Sequence, residues 1–185
     1  MGFHTFDAES AARLEDAAER YRYCSCEELL GALALAGDET VADLGSGTGF
    51  YADDVAPHVA RLHAVDVQAA MHEFYCEKGL PGNVSLATAD VADLPFATDA
   101  LDAAYATMTF HEFASDASLA ELARVCRDGA RLVVVDWSAA GDGESGPPVT
   151  ERYDAADADA MLADAGFTVE RTVERVETFV AVAER

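Results

Sequence analysis

Short apolar runs alternate with amphipathic segments along most of this chain. Runs rich in Val, Leu and Ala that are bounded by Gly, Asp or Pro are typical of buried strands. Seven strands are predicted, near 41–44, 62–66, 84–88, 101–106, 131–136, 167–173 and 177–183. Apolar positions three and four residues apart indicate helices. Helices are predicted near 8–22, 50–58, 68–77, 116–126 and 155–165. A further helix is predicted from a capping box at Ser25 to about Ala36.

The order of these elements predicts the fold class. Strands that alternate with helices form a parallel sheet with helices on both faces. The last two strands are joined too tightly for a crossover helix, so they must pair as an antiparallel hairpin. A chain of 185 residues suits one α/β domain. We expect a helical cap over residues 1–37 and a compact core over residues 38–185.

The segment after the first strand carries the strongest signal. Val41-Ala42-Asp43-Leu44 runs into Gly45-Ser46-Gly47-Thr48-Gly49, and a helix is predicted to begin at Phe50. A strand, a glycine turn and a helix N-terminus together form a nucleotide site at the carboxyl end of a sheet. The dinucleotide pattern G-x-G-x-x-G would require a glycine at position 50. The spacing therefore argues against a nicotinamide cofactor.

Acidic residues close the next two predicted strands. Asp66 ends the second strand, and an ionised carboxylate at that place can accept both hydroxyls of a ribose. The alternative is an Asp that caps the next helix. Asp90 ends the third strand, where a loop-capping role is the alternative.

The D-x-G-x-G-x-G pattern from Asp43 to Gly49 resembles motif I of the class I S-adenosylmethionine-dependent methyltransferases. The stretch 100–113 is similar to the UbiE, quinone-type branch of that family, and the resemblance covers 38–137 well and 150–185 in outline. It implies a Rossmann-like, doubly wound, seven-stranded, mostly parallel sheet with an antiparallel last strand. It also implies methyl transfer from S-adenosylmethionine to an unidentified small-molecule acceptor, leaving S-adenosylhomocysteine.

The resemblance further implies which residues hold the cofactor. The glycine turn would pass under its amino-acid end, Asp66 would hold the ribose, and Asp90 would meet the adenine amine. The predicted cofactor-binding residues are Asp43, Gly45, Ser46, Gly47, Gly49, Asp66, Val67, Asp90, Val91, Thr107 and Met108. His111, just past the fourth strand, is the candidate general base, with a packing or loop-orienting role as the alternative.

Other function classes stay open at this point. One is a cofactor-binding or scaffold protein without catalysis, and another is a nicotinamide-dependent oxidoreductase on the same fold. A thiol site at Cys24 and Cys26 is a weaker alternative, because C-x-C is not the C-x₂-C spacing of metal sites. The histidines show no H-x-x-H spacing, so no metal site is predicted.

The formal net charge is −23, from 35 acidic and 12 basic residues, and Lys78 is the single lysine. Nucleic-acid binding needs clustered Lys and Arg, so it is not expected. The sequence has no apolar run of 18 residues and no signal-peptide pattern, which favours a cytoplasmic protein without a membrane span, either a monomer or a homodimer. Acids scattered over a chain that is 51% hydrophobic indicate a folded, acid-coated protein of a salt-accumulating haloarchaeon.

We also expect residues 1–24 to close over the cofactor pocket.

The charge generates a first prediction. Mutual repulsion of surface carboxylates should weaken the fold in dilute buffer, and the Debye length falls from about 10 Å at 0.1 M salt to about 3 Å at 1 M. The thermal midpoint of unfolding, followed by circular dichroism, should therefore rise between 0.1 M and 1 M KCl. A midpoint that stays level or falls over this range contradicts the halophile interpretation.

Overall fold

The computed structural model describes residues 8–185, so the first seven residues of the expected cap lie outside the described residues. The strands are β1 Thr40–Leu44, β2 Arg61–Asp66, β3 Val84–Thr88, β4 Leu101–Thr107, β5 Cys126–Trp137, β6 Thr168–Glu174 and β7 Thr178–Glu184. The α-helices are α1 Ala17–Tyr23, α2 Cys26–Leu33, α3 Phe50–Val55, α4 Ala69–Lys78, α5 Phe110–Phe113, α6 Asp116–Val125 and α7 Ala155–Asp164. Short 3-10 helices occupy Ala8–Glu15, Ala56–His58 and Val149–Glu151.

The seven strands form one sheet in the order β3-β2-β1-β4-β5-β7-β6. Strands β1 to β5 pair in parallel, and β7 lies antiparallel between β5 and β6. The chain therefore winds outward from β1 in one direction and from β4 in the other, which opens a crevice at the carboxyl ends of these two strands. The predicted fold class, including the terminal hairpin, is confirmed.

The sheet is covered on both faces by apolar clusters. One face packs Phe110, Leu122, Leu162 and Phe179 beneath the later helices. The other face packs residues of β1 and β5 against α2 and α3, including Leu29 and Tyr51. Alternate residues of the central strands supply the two clusters, because successive side chains of a strand point to opposite faces. Within residues 8–185, no helix is long and apolar enough to cross a membrane.

The structure departs from the predicted elements at several places, and three of the departures have a local explanation. The predicted helix 8–22 breaks at Asp16, whose side chain accepts hydrogen bonds from the N–H groups of Ala18 and Glu19 and so starts a new helix. Helix α2 ends at Leu33, because Ala34 adopts a left-handed conformation. Strand β5 begins at Cys126, five residues earlier than predicted. The Asp128-Gly129 turn lies inside the strand, at an irregularity in its pairing with β4, and does not precede the strand.

The N-terminal elements pack directly on the later part of the chain. The guanidinium group of Arg175 donates hydrogen bonds to the Tyr23 carbonyl and the Glu28 carboxylate. The Tyr51 hydroxyl of α3 donates to the carbonyl oxygens of Arg20 and Cys24, both at 3.0 Å. These contacts do not test the expected boundary between residues 1–37 and 38–185, which stays a prediction.

Candidate functional site

A cavity of about 1150 Å³ opens at the carboxyl edge of the sheet, and we call it the edge cavity. Its floor is formed by residues that follow β1, β2, β3, β4 and β5, which meet there because parallel strands end at the same edge. Residues of the 3-10 helix Ala8–Glu15 and of α1 form one wall. The lining includes 45–48, 65–68, 89–92, 107–109, 111–115 and 145–148, together with Arg13, Arg20, Tyr23 and Trp137.

The glycine turn after β1 is held by backbone hydrogen bonds. The N–H groups of Gly45 and Ser46 both donate to the Val65 carbonyl at 2.8 Å. Gly45 and Gly47 have positive φ angles and line the cavity with Ser46. The Ser46 hydroxyl is buried and has no hydrogen-bond partner among the described residues, so it is available to a ligand.

Gly49 serves packing and is not part of the cavity lining. It caps α3 in a left-handed conformation, with φ of 77°. A Cβ atom at this position would lie 2.2 Å from the ring of Tyr75. The structure therefore requires glycine here because of the turn and because α4 comes so close.

Asp43 lies beneath the turn, outside the cavity lining. It is 1% exposed, and its Oδ1 has no hydrogen-bond partner among the described residues. Burial raises the pKa of Asp43 to about 7, although the nearby Tyr105 hydroxyl and Arg20 guanidinium oppose the rise. Direct contact of Asp43 with a cofactor stays a prediction.

Asp66 lies at the edge cavity with both carboxylate oxygens oriented by the backbone. Oδ2 accepts from the Gly47 N–H and Oδ1 from the Gln68 N–H, each at 2.8 Å. Each oxygen of an ionised carboxylate has more than one lone-pair site, so both can still accept from a ligand. Val67, next to it, is 58% exposed and lines the same cavity.

The segment after β3 contributes Asp90 and Val91 to the lining. The Asp90 Oδ1 accepts from the Ala92 N–H at 2.9 Å, so the loop-capping contact is present. Asp90 remains exposed at the cavity and can contact a ligand as well. Phe96, further along the same loop, is not part of the cavity lining, and its ring lies 4.7 Å from that of His63.

The end of β4 is unusual in its backbone. Met108 has a positive φ of 61° and donates its N–H to the Val135 carbonyl at 2.7 Å. Such conformations are strained for residues other than glycine and cluster at functional sites. Thr109 then donates its hydroxyl to the Leu44 carbonyl at 2.8 Å, which joins this loop to the end of β1.

His111, in the first turn of α5, is buried and lines the cavity. Its Nδ1 lies 3.0 Å from both carboxylate oxygens of Asp136, and its backbone N–H donates to Asp136 Oδ2 at 2.6 Å. Burial alone lowers the pKa of His111, but the hydrogen bond and charge of Asp136, with Glu112, outweigh burial and raise it above 6.5. The arrangement holds a proton on Nδ1 and leaves Nε2 as the reactive nitrogen.

The loop after β5 is ordered by an ion pair that the sequence did not indicate. Arg152 donates to the carbonyl oxygens of Ser138, Ser145 and Pro147, and its Nη1 lies 3.4 Å from Glu177. Both side chains of this pair are at least nine-tenths buried. The loop is therefore fixed at the cavity, although it contains no regular secondary structure between Ala139 and Pro148.

Trp137 forms the adjoining wall. Its ring lies 4.6 Å from that of Tyr23, and Gly146 packs so tightly on it that a Cβ would lie 2.4 Å from the ring.

Sequence reasoning missed Arg20, Tyr23, Asp136 and Trp137. Only Asp136, a polar residue at the end of an apolar strand, gave a readable signal. Tyr51 is buried against the N-terminal segment and does not line the cavity.

All four cysteines are free. Burial raises the pKa of Cys24 to about 12 and has the same effect on Cys126, so both stay thiols at neutral pH. Cys76 is exposed, on α4. Over residues 8–185, no three His, Cys, Asp or Glu side chains come together in a way that could hold a metal ion.

Comparison with known proteins identifies the family. A family model described as a methyltransferase domain matches residues 42–134. The chain belongs to this methyltransferase family. A methyltransferase structure from Aquifex aeolicus, described as S-adenosylmethionine-dependent, is 31% identical with a TM-score of 0.85, covering 97% of this chain and 98% of that one.

Two curated methyltransferases are also similar. The ubiquinone/menaquinone biosynthesis C-methyltransferase UbiE of Syntrophotalea carbinolica is 32% identical over 124 residues, 64% of this chain and 51% of that protein. The O-methyltransferase resE of Aspergillus sclerotiorum is 31% identical over 136 residues, 70% of this chain and 50% of that protein. The chain spans about half the length of the curated relatives that it matches.

The cofactor of this methyltransferase family is S-adenosylmethionine, and the edge cavity fits it. The free Ser46 hydroxyl and the oriented Asp66 carboxylate offer polar contacts to a ribose and an amino acid. Its volume exceeds the roughly 300–1000 Å³ of a pocket for one drug-sized ligand, so a cofactor and an acceptor have room together.

The packing of Gly49 generates a prediction on stability. Gly49→Ala should destabilise the protein by about 2 kcal/mol or more, from the left-handed conformation and the overlap with Tyr75. Gly31→Ala is the matched control, because nothing lies within 4 Å of a Cβ there and Gly31 is inside α2. It should be neutral or stabilise by up to about 1 kcal/mol. Urea unfolding measures both, and equal effects would refute the packing role of Gly49.

Proposed function

We propose that this methyltransferase transfers the methyl group of S-adenosylmethionine to a small molecule that loses a proton at the reacting atom. The observation that carries the proposal is that His111, backed by Asp136, faces the same cavity as the glycine turn. Within one cavity, a cofactor and a proton-bearing acceptor can be held side by side, which converts a bimolecular reaction into an oriented one.

The cofactor half of the cavity comprises the segments after β1, β2 and β3. Asp66 accepts from the ribose hydroxyls, Asp90 accepts from the adenine amine, and Val91 packs on the ring. Gly45, Ser46 and Gly47 lie along the amino-acid end, with Thr107 and Met108 opposite. Asp43 and Gly49 support the turn from below. When bound, the cofactor supplies a methyl group that is already activated on a sulfonium.

The acceptor half comprises the loops after β4 and β5. Its walls are mainly apolar, from Phe113, Ala114, Trp137, Pro147 and Pro148. Among the described residues of these loops that line the cavity, only His111 and Glu112 are titratable. Such walls exclude water and favour a flat, largely apolar acceptor over a phosphorylated one, because no guanidinium group is among the described residues that line this half.

His111 removes the proton that the acceptor loses. Asp136 holds the Nδ1 proton and orients the ring, so Nε2 faces the acceptor as a base. The buried carboxylate also stabilises the imidazolium that forms, in the same way that a carboxylate assists histidine in other catalytic sites. Protein groups need to do no more than this, since the methyl donor is already activated.

The relatives support a small-molecule acceptor without fixing the methylated atom. UbiE of Syntrophotalea carbinolica is named as a C-methyltransferase of quinone biosynthesis and resE as an O-methyltransferase. Both reactions need a proton to leave the acceptor, as His111 allows. The glycine spacing speaks against the nicotinamide alternative, and comparing the binding of the two cofactors by calorimetry separates them. A protein that binds S-adenosylmethionine but transfers no methyl group in a screen of labelled acceptors would match the scaffold alternative.

The proposal also covers the cellular compartment and the kind of organism in which the protein works. The free cysteines favour a reducing compartment such as the cytoplasm, and the acidic composition favours a haloarchaeal cell. We propose a monomer or a homodimer.

The role of Asp66 generates a prediction on cofactor affinity. Asp66→Ala removes the acceptors for the ribose hydroxyls in a nearly buried site, a loss of about 1–3 kcal/mol, or roughly tenfold or more in affinity. Titration calorimetry with S-adenosylhomocysteine measures it. Asp142→Ala, in the loop after β5 and outside the cavity lining, is the control and should leave affinity unchanged. Unaltered binding in a folded Asp66→Ala protein would overturn the assignment.

The role of His111 generates a prediction on pH dependence. A base works only when neutral, so the raised pKa of His111 should make kcat rise with pH along a limb that lies above pH 6.5. Asp136→Asn removes the charge that raises this pKa, so burial should then move the limb to lower pH, with a lower kcat. His111→Gln should reduce kcat by about 10²- to 10⁴-fold while the affinity for S-adenosylhomocysteine stays the same.

The matched control for this prediction is His63→Gln, since His63 is half-buried on β2 outside the cavity lining. It should preserve kcat and its pH profile. A His111→Gln protein with normal kcat would show that His111 only orients the loop, and an Asp136→Asn protein whose limb does not move would remove Asp136 from the mechanism.

A further inference from the structure

Two hydrogen-bond acceptors stand side by side in the acceptor half of the edge cavity. Glu112 follows His111 in α5, and both residues line the cavity. The Oε1 atom of Glu112 lies 4.0 Å from His111 Nε2, and the Glu112 side chain is 20% exposed. Because Asp136 holds the proton on Nδ1, Nε2 is an acceptor, and an ionised carboxylate can only accept. A ligand beside His111 therefore meets two acceptors at once.

The packing of α5 fixes the position of these two groups. Phe110 is fully buried, with its ring 5.6 Å from that of Phe113 and 5.9 Å from that of Tyr153. The backbone N–H of His111 donates to the Asp136 carboxylate, which ties the same turn to the end of β5. Acceptors that are already held in place select among ligands more sharply than mobile ones, because binding does not have to order them.

The spacing of the two acceptors favours a particular kind of ligand. A single hydroxyl group can donate to only one of them. Two donors that lie next to each other suit the 4.0 Å separation, since each can form a hydrogen bond of about 2.7–2.9 Å with its own acceptor. Hydroxyl groups on neighbouring carbons of an aromatic ring are such donors. The ring itself matches the apolar walls that Phe113, Trp137 and Pro147 contribute to this half of the cavity.

Three neighbouring hydroxyl groups are used within the fold. The Thr109 hydroxyl donates to the Leu44 carbonyl at 2.8 Å. The hydroxyl groups of Ser115 and Ser118 lie 2.9 Å apart and bond to each other at the start of α6. The carboxylate of Glu112 is therefore better placed than these groups to receive a second donor beside Nε2.

We propose that Glu112 makes this methyltransferase selective for aromatic acceptors that carry hydroxyl groups on two neighbouring carbons. This inference rests on the proposed function. One hydroxyl donates to His111 Nε2 and is methylated, and the other donates to Glu112. An aromatic amine fits less well, because its nitrogen already has a lone pair for the attack, whereas a hydroxyl gains from losing its proton to a base.

The two side chains act differently on the two hydroxyl groups. A carboxylate is too weak a base to take the proton of an aromatic hydroxyl, so Glu112 orients the second hydroxyl and leaves it protonated. At the first hydroxyl the O–H bond breaks, and its proton passes to His111 Nε2 as the oxygen forms a bond to the methyl carbon. The bond from this carbon to sulfur breaks with both electrons on sulfur. The products are a methyl ether and S-adenosylhomocysteine, and the proton then leaves His111 for solvent.

The test compares three flat probes by titration calorimetry on protein saturated with S-adenosylhomocysteine. The first, 2,3-dihydroxynaphthalene, has neighbouring hydroxyls. The second, 2,7-dihydroxynaphthalene, has the same number on opposite rings, and the third, 2-naphthol, has one. The unaltered protein should bind the first probe about tenfold to a hundredfold more tightly than the others, because only this probe reaches both acceptors. With labelled S-adenosylmethionine, one oxygen of this probe should gain the methyl group.

Variants of Glu112 separate its role from that of the rest of the cavity. Glu112→Leu should bind the three probes with nearly equal affinity. Glu112→Gln keeps an uncharged carbonyl acceptor, so it should show a smaller preference for the first probe than the unaltered protein does. Glu77→Leu is the matched control, because Glu77 is exposed on α4 and lies outside the cavity lining. It removes the same charge and should keep the whole preference.

The outcomes distinguish this inference from the proposed function. Equal binding of the three probes by the unaltered protein, or a preference that survives in Glu112→Leu, contradicts the inference, as does a failure of every probe to bind beside S-adenosylhomocysteine. Methyl transfer to 2-naphthol as readily as to the first probe supports the proposed function and refutes selection by Glu112. If the protein does not bind S-adenosylhomocysteine, both fail. Thermal midpoints identify any loss of folding in Glu112→Leu; Glu112→Gln then decides, and an undiminished preference there refutes the inference.

Discussion

Two side chains fill the space in which Cβ atoms at positions 45 and 49 would lie. Thr109 reaches to within 2.7 Å of the first position and Tyr75 to within 2.2 Å of the second. Thr109 belongs to the loop after β4, and Tyr75 belongs to α4. The glycine turn is therefore the place where three parts of the sheet edge converge. Its lack of side chains brings Asp66, Met108 and His111 to one cavity, because any larger residue would push these loops apart.

Several of the few basic side chains connect different elements of the fold. Lys78 ties the N-terminal segment to α3 and α4, and Arg175 ties α2 to the terminal hairpin. Arg152 orders the loop after β5 through three carbonyl oxygens and Glu177. Arg124, Arg127 and Arg131 also pair with carboxylates, but ion pairs at the surface contribute little. Lys78, Arg152 and Arg175 are buried or bridge two elements, so they contribute more to the stability of the fold than such surface pairs do.

Most of the fold could be predicted from the sequence, because buried parallel strands have short apolar runs and helices have caps. The glycine turn after β1 and the acidic residues Asp66 and Asp90 could also be predicted, since glycines and acids at strand ends are local signals. The break at Asp16 was missed because an Asp inside an amphipathic stretch either caps a new helix or stays solvated. Arg20, Trp137 and Arg152 were missed for another reason: their roles depend on residues far away in the chain, such as Tyr51, Gly146 and Glu177. No local pattern encodes such contacts.

The surface and the cavity respond to salt in different ways. Exposed carboxylates interact through water and ions, and at 1 M salt their repulsion is screened within about 3 Å. His111 and Asp136 are 3.0 Å apart with side chains 4% and 1% exposed, so few ions enter between them. Apolar residues such as Phe113 and Trp137 surround this half of the cavity and lower the local dielectric, which strengthens the pair. An acid-coated protein can thus depend on salt for its folding while the electrostatics at its candidate base stay nearly independent of salt.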